Sequence, residues 1–156
     1  MPKIAVDAMG GDHAPAVVVE GALLAARDVD AELILVGDKP AVEQECLRIG
    51  GKIPRFTIVN ASQKVPMDES PSVALRKKDS SMKVAFEMIK RGEAQAVVSA
   101  GNSGAMMAIG MLVIGTLPQV TRPAILAIVP GPSKGTVIVD AGASKPTCPR
   151  RFDVKP

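Results

Sequence analysis

The sequence predicts a three-layer α/β domain with a mostly parallel sheet, and three observations carry that expectation. Several short apolar runs, such as residues 32–37 and 94–98, lack the polar alternation of a half-exposed strand, as befits strands covered on both faces. These runs alternate with helix-like stretches. Two of them end in polar turns rich in glycine, Asp7-Ala8-Met9-Gly10-Gly11-Asp12-His13 and Ser99-Ala100-Gly101-Asn102-Ser103-Gly104, and each turn leads toward a helix. A strand that ends in glycine and enters a helix aims backbone N–H groups at a shared spot, where the helix N-terminus adds positive partial charge. Phosphate is the guest such a turn suits.

In chain order, residues 3–6 form a first strand and, beyond the first glycine turn, residues 17–26 a helix whose first turn suits Pro15. Residues 32–37 form a second strand stopping at Gly37, and Asp38 is placed to cap a helix over 40–49. A third strand covers 56–59 after Pro54. The polar segment 60–72, with Pro66 and Pro71, reads as a long surface connection, the kind of loop that carries function. A helix over 81–90 places Met82, Ala85, Phe86 and Ile89 on one face, and a fourth strand at 94–98 runs into the second glycine turn. Residues 105–114 read as a buried helix. Pro123 introduces a strand at 124–129 and, after Pro130-Gly131-Pro132, another at 136–139, as a hairpin or as sheet neighbours. The sum is six strands and about four helices.

Composition removes several function classes. The chain has 156 residues, 47% of them hydrophobic, enough to bury a core as a single domain. With three Phe and neither Trp nor Tyr it lacks base-stacking platforms, and 19 basic against 16 acidic residues, interspersed for a net charge of +3, do not make a nucleic-acid surface. A small anion fits that balance better. Cys46 and Cys148 have no metal-ligand spacing and make no disulfide framework, so no metal or cofactor is expected and a reducing cytoplasm is the default. The N-terminus reaches Asp7 without the apolar core of a secretion signal. The longest apolar stretch, 105–117, is broken by Gly110 and Gly115 and falls short of the ~20 residues needed to span a bilayer.

The opening Ile4-Ala5-Val6-Asp7-Ala8-Met9-Gly10-Gly11-Asp12-His13-Ala14-Pro15 closely resembles the signature of the bacterial phosphate acyltransferases of phospholipid synthesis. Three later segments, Arg76-Lys77-Lys78-Asp79-Ser80-Ser81-Met82, Ser99-Ala100-Gly101-Asn102-Ser103-Gly104-Ala105 and Val139-Asp140-Ala141-Gly142-Ala143, are similar to that family's further motifs in the same order. Either glycine turn alone is a weak signal; four ordered motifs are a strong one. The resemblance covers residues 1–143 and implies a fold like that of the isocitrate and isopropylmalate dehydrogenases and the phosphate acetyltransferases. In that family a second part completes the sheet, the dimer and the membrane-facing surface, so this chain is expected to be a truncated version, with 144–156 an anomalous, irregular tail.

The implied reaction joins inorganic phosphate to the acyl group of an acyl-[acyl carrier protein], releasing acyl phosphate and the free carrier. The implied partners are the carrier protein, phosphate and a second copy in a homodimer, with peripheral association at the inner face of the membrane. Such an attack creates an oxyanion, so the site needs fixed donors and cations more than a protein nucleophile. Gly10, Gly11, Gly101 and Gly104 offer backbone N–H groups, Ser80, Ser81, Ser99, Asn102 and Ser103 side-chain groups, and Lys77 and Lys78 positive charge. His13 is the candidate proton donor to the leaving thiolate, with Lys78 and Asn102 completing the expected catalytic set.

Other readings of the same residues stay open. Asp7, Asp12 and Asp79 are counted with the expected phosphate- and substrate-binding residues, but each glycine turn also serves as a simple chain reversal, and Asp7 and Asp12 as loop braces or helix caps rather than bases. Arg76-Lys77-Lys78 can equally attract an acidic carrier protein. Met106, Met107 and Met111 read as core filling, and Cys46 is not expected to act as a nucleophile. A short-chain acyl-coenzyme A substrate and a phosphate-binding fragment without turnover are the alternatives to the full reaction.

Overall fold

Four of the apolar runs become strands of one parallel sheet in the computed structural model, which describes residues 1–49, 56–120, 123–131 and 135–140. The chain divides into two compact units, Met1–Leu117 and Pro118–Pro156. The first contains, in order, β1 (Lys3–Asp7), α1 (Ala16–Asp28), β2 (Glu32–Gly37), α2 (Lys39–Arg48), β3 (Thr57–Asn60), α3 (Pro71–Ala74), α4 (Ser81–Lys90), β4 (Ala96–Val98) and α5 (Ser103–Val113). Its strands lie in the order β3-β2-β1-β4, with Ala5 of β1 level with Ile34 of β2 on one side and Val97 of β4 on the other.

The strand pleat divides the apolar side chains into two cores. Val6, Ala8, Leu33 and Leu35 face Val19 and Ala22 of α1 and Val42 and Cys46 of α2. Their neighbours Ala5, Ile34 and Val36 face the opposite way, onto Ala85 and Met88 of α4. That is the three-layer arrangement expected from unalternating strands. A third cluster, with Val65, Ala74, Met82, Ala105, Ile109 and Val113, joins α3, α4 and α5.

Helix starts follow local chemistry. Asp38 accepts from the Ala41 amide at 3.1 Å to cap α2, as its sequence position predicts, and Ser80 and Asn102 cap α4 and α5 in the same way. Pro15 itself occupies the cap position of α1. The connection over 60–72 is more ordered than a plain loop: it ends in the short α3, and Gln63 bridges to Ser80. The helix expected to be buried over 105–114 buries only Ala105, Ile109 and Val113, while Leu112 stays 60% exposed. Within this unit α5 packs on α3 and α4 along one side, so an all-apolar sequence covers more than that single seam requires.

In the second unit β5 (Leu126–Val129) and β6 (Thr136–Val139) pair antiparallel, Leu126 opposite Val139, which realises the hairpin expectation. The turn residues 132–134, the last glycine motif beyond Asp140, Cys148 and the expected tail at 144–156 lie outside the described residues. Among the described residues no helix is long and apolar enough to cross a membrane.

Candidate functional site

Because β1 and β4 are parallel neighbours with Val6 level with Val98, the two glycine turns leave the sheet at the same edge. They pack directly on one another. A Cβ on Gly10 would fall 2.7 Å from both Asp7 Oδ2 and Ser99 Oγ and 3.0 Å from the Gly101 nitrogen, and one on Gly101 would fall 3.3 Å from Gly10 Cα. Gly11 holds φ at +99° against the Ala100 carbonyl. Only glycine meets both demands, close approach at position 10 and left-handed backbone at position 11.

Asp7 lies behind this junction, 1% exposed. Its carboxylate accepts from Ser81 Oγ at 2.5 Å, from Ser99 Oγ at 2.7 Å and from the Met9 amide at 3.3 Å. Ser99 Oγ in turn accepts from the Gly101 amide at 3.0 Å. One buried carboxylate thereby ties the end of β1, the start of α4 and the turn after β4. The Gly101 amide is occupied inside the protein, whereas the Ser103 and Gly104 amides, in the first turn of α5, have no intrahelical acceptor.

The 76–82 motif is arranged around the 61–69 segment. Asp79 accepts from the Ser62 amide at 2.7 Å and from Ser62 Oγ at 2.6 Å, and these bonds, the hydroxyl's first, hold its carboxyl below the usual carboxylate range. Lys77 Nζ pairs with Glu69 at 2.6 Å and donates to the Lys64 carbonyl at 2.8 Å. Ser80 is buried as the cap of α4. Asn102 accepts from the Ala105 amide through Oδ1, while its Nδ2 faces the carbonyls of Pro66, Met67 and Glu69 at 3.3, 2.9 and 2.8 Å.

The fold thus gathers Asp7, Gly10, Gly11, Ser81, Ser99 and Gly101 into one cluster and sets Asn102, Ser103 and Gly104 at the start of the adjoining helix. Lys77 and Asp79 are engaged by the 61–69 segment, and Asp12, His13 and Lys78 are exposed. The partners that sequence reading missed are Ser62, Lys64 and Glu69, on a connection whose only local signals were its length and its prolines. Cys46 is buried in α2, and desolvation first, with Glu43 and Glu45 adding, pushes its thiol up, away from a reactive thiolate.

A family model described as "Fatty acid synthesis protein" matches residues 2–151. The chain belongs to this fatty acid synthesis family. It is 49% identical over 145 residues to the phosphate acyltransferase of Oleidesulfovibrio alaskensis, which covers 92% of this chain and 42% of that protein. To the phosphate acyltransferase of Alkaliphilus oremlandii it is 42% identical over 151 residues, covering 96% of this chain and 45% of that one. The chain therefore spans less than half the length of these family members. Among solved structures it is similar to the EutD phosphotransacetylase from Staphylococcus aureus, with a TM-score of 0.59 at 18% identity, over 87% of this chain and 44% of that one. That likeness is one of fold.

Proposed function

We propose that this chain binds inorganic phosphate beside the joined glycine turns and belongs to a phosphate acyltransferase that transfers the acyl group of acyl-[acyl carrier protein] to that phosphate. The observation that carries the reading is the packing of Gly10 against Gly101 at the ends of parallel neighbours, with the amides of Ser103 and Gly104 opening the adjoining helix. A phosphate oxygen attacks the thioester carbon, the carbon–sulfur bond breaks, and the carrier thiolate takes up a proton, for which the exposed His13 is the donor in this reading. Lys78, exposed at the edge of the 76–82 motif, offsets anionic charge and with Arg76 offers a basic approach to an acidic carrier. The product, acyl phosphate, feeds phospholipid synthesis. Homodimer formation and a place in the cytoplasm, at the inner membrane face, complete the proposal.

Titration calorimetry with inorganic phosphate tests the binding step, and hydroxylamine trapping of acyl phosphate from acyl-[acyl carrier protein] tests the transfer. Phosphate binding with transfer from the carrier protein supports the whole reading, and transfer from acyl-coenzyme A alone would replace the carrier. A second reading is phosphate binding without turnover. Binding with no transfer by this chain selects it, and no phosphate binding refutes both.

A further inference from the structure

Two of the side chains expected to touch ligand, Lys77 and Asn102, are turned onto the same short loop. Asn102 Nδ2 faces the carbonyls of Pro66, Met67 and Glu69, and Lys77 Nζ holds the Lys64 carbonyl together with the Glu69 carboxylate. The loop is thus gripped at its beginning, middle and end by the cap residue of α5 and by Lys77 in the connection between α3 and α4. Its outer side meets the first glycine turn, and a pocket of about 300 Å³ lies between them, lined by Met9, Gly11, Asp12, Lys64, Pro66 and Met67. The grip works against a cost, because Glu69 Oε2 is buried without a hydrogen-bond partner among the described residues. A loop that retains an unsatisfied carboxylate oxygen is held in place by its other bonds.

We infer that Asn102 and Lys77 are positioning residues that hold the 64–69 loop as one wall of the pocket beside Gly11, and that they serve ligand binding through this loop rather than by touching the ligand. The inference deepens the phosphate reading, and its first test needs no ligand. Asn102→Asp keeps an oxygen for the Ala105 amide and the helix cap, but turns an acceptor toward the three carbonyls. Lys77→Met releases both ends of the loop, at Lys64 and Glu69, while leaving α5 untouched. The readout is the initial rate of native-state tryptic cleavage after Lys64, followed by mass spectrometry, with cleavage after Arg91 at the end of α4 as the internal control.

Each substitution is expected to raise cleavage after Lys64 roughly ten-fold, through a larger open population of the loop, and to leave cleavage after Arg91 unchanged. The double variant gains less than the product of the two, since both release one loop. Inorganic phosphate affinity, measured by calorimetry, falls in both single variants. Weakened phosphate binding with unchanged cleavage after Lys64 would overturn the inference in favour of direct contact, and unchanged cleavage in both variants would overturn it outright. If the unmodified chain binds no phosphate, the functional reading fails separately, while faster cleavage after Lys64 still supports the grip on the loop.

Discussion

Replacing Gly10 with alanine adds one methyl group at the most crowded point between the glycine turns. The new carbon would lie 2.7 Å from Asp7 Oδ2, 2.7 Å from Ser99 Oγ and 3.0 Å from the Gly101 nitrogen. Carbon and its non-bonded neighbours settle at about 3.5–4.0 Å, so each of these approaches is too close by roughly half an ångström or more. None of the three atoms is the free end of a long side chain. Asp7 and Ser99 are bonded to each other at 2.7 Å, and Ser99 is bonded to Gly101 at 3.0 Å, so moving any of them breaks the network that joins the turns. Overpacking of this kind costs about 1–3 kcal/mol, and losing a hydrogen bond to a charged group adds about 1.5–3 kcal/mol. A destabilisation of about 3–4 kcal/mol follows, read as a lower urea midpoint with unchanged slope, together with a phosphate affinity at least about ten-fold weaker. A Gly10→Ala variant within about 0.5 kcal/mol of the parent, with full phosphate affinity, would refute the close packing of the two turns.

The opposite outcome is expected at Gly21, in the exposed face of α1, where a Cβ would meet nothing within 4 Å: Gly21→Ala should stabilise by about 0.5–1 kcal/mol in the same urea assay. Asp7→Asn replaces one accepting oxygen by a donor where Ser81 and Ser99 both donate, and should cost about 2–3 kcal/mol by the same measurement. Asp79 has its folded carboxyl pKa lowered by Ser62, so its contribution is present above the ordinary carboxylate range and is lost as pH falls through the lowered value. The stability gap between the parent and Asp79→Asn should therefore be full at pH 6 and close on acidification below about pH 4, followed by urea titrations across that range.

The architecture was legible because it is written in local pattern. Unalternating runs at 32–37, a glycine after each of two strands, Asp38 ahead of α2 and Ser80 ahead of α4 each carry their own physical signal, and the structure uses each of them. The site was legible only in part. That the two glycine turns would meet follows from β1 and β4 being parallel neighbours that end together, a strand order that no local pattern announces. The loop held by Lys77 and Asn102 was not legible, since the bonds from Asn102 to the carbonyls of Pro66, Met67 and Glu69 span 33 to 36 positions and involve backbone acceptors that every residue type supplies. The same amide that reads as a ligand donor in the sequence finds its acceptors within the chain. The exposure of one side of α5 was hidden for a related reason: apolar residues all round a helix report what it can bury, not what packs on it in one unit.

The buried Asp7 also decides where attraction for phosphate must come from. Its charge is met by two hydroxyls and an amide, and one of those hydroxyls belongs to Ser81, the first residue of α4. The positive end of the α4 dipole is therefore already matched by a carboxylate, so an incoming anion gains little from that helix. On the proposed function, the start of α5, whose first amides have no intrahelical acceptor, and exposed cations such as Lys78 are the groups left to attract phosphate against the repulsion of Asp7. An ammonium about 6 Å from a divalent phosphate in a water-like dielectric contributes about 1.4 kcal/mol, or roughly ten-fold in Kd. Lys78→Ala should weaken phosphate binding by about that factor, and the loss should shrink as salt rises and the Debye length falls below about 8 Å. A Kd that is unchanged by Lys78→Ala at low ionic strength would remove this lysine from the site and leave the α5 amides to hold the anion alone.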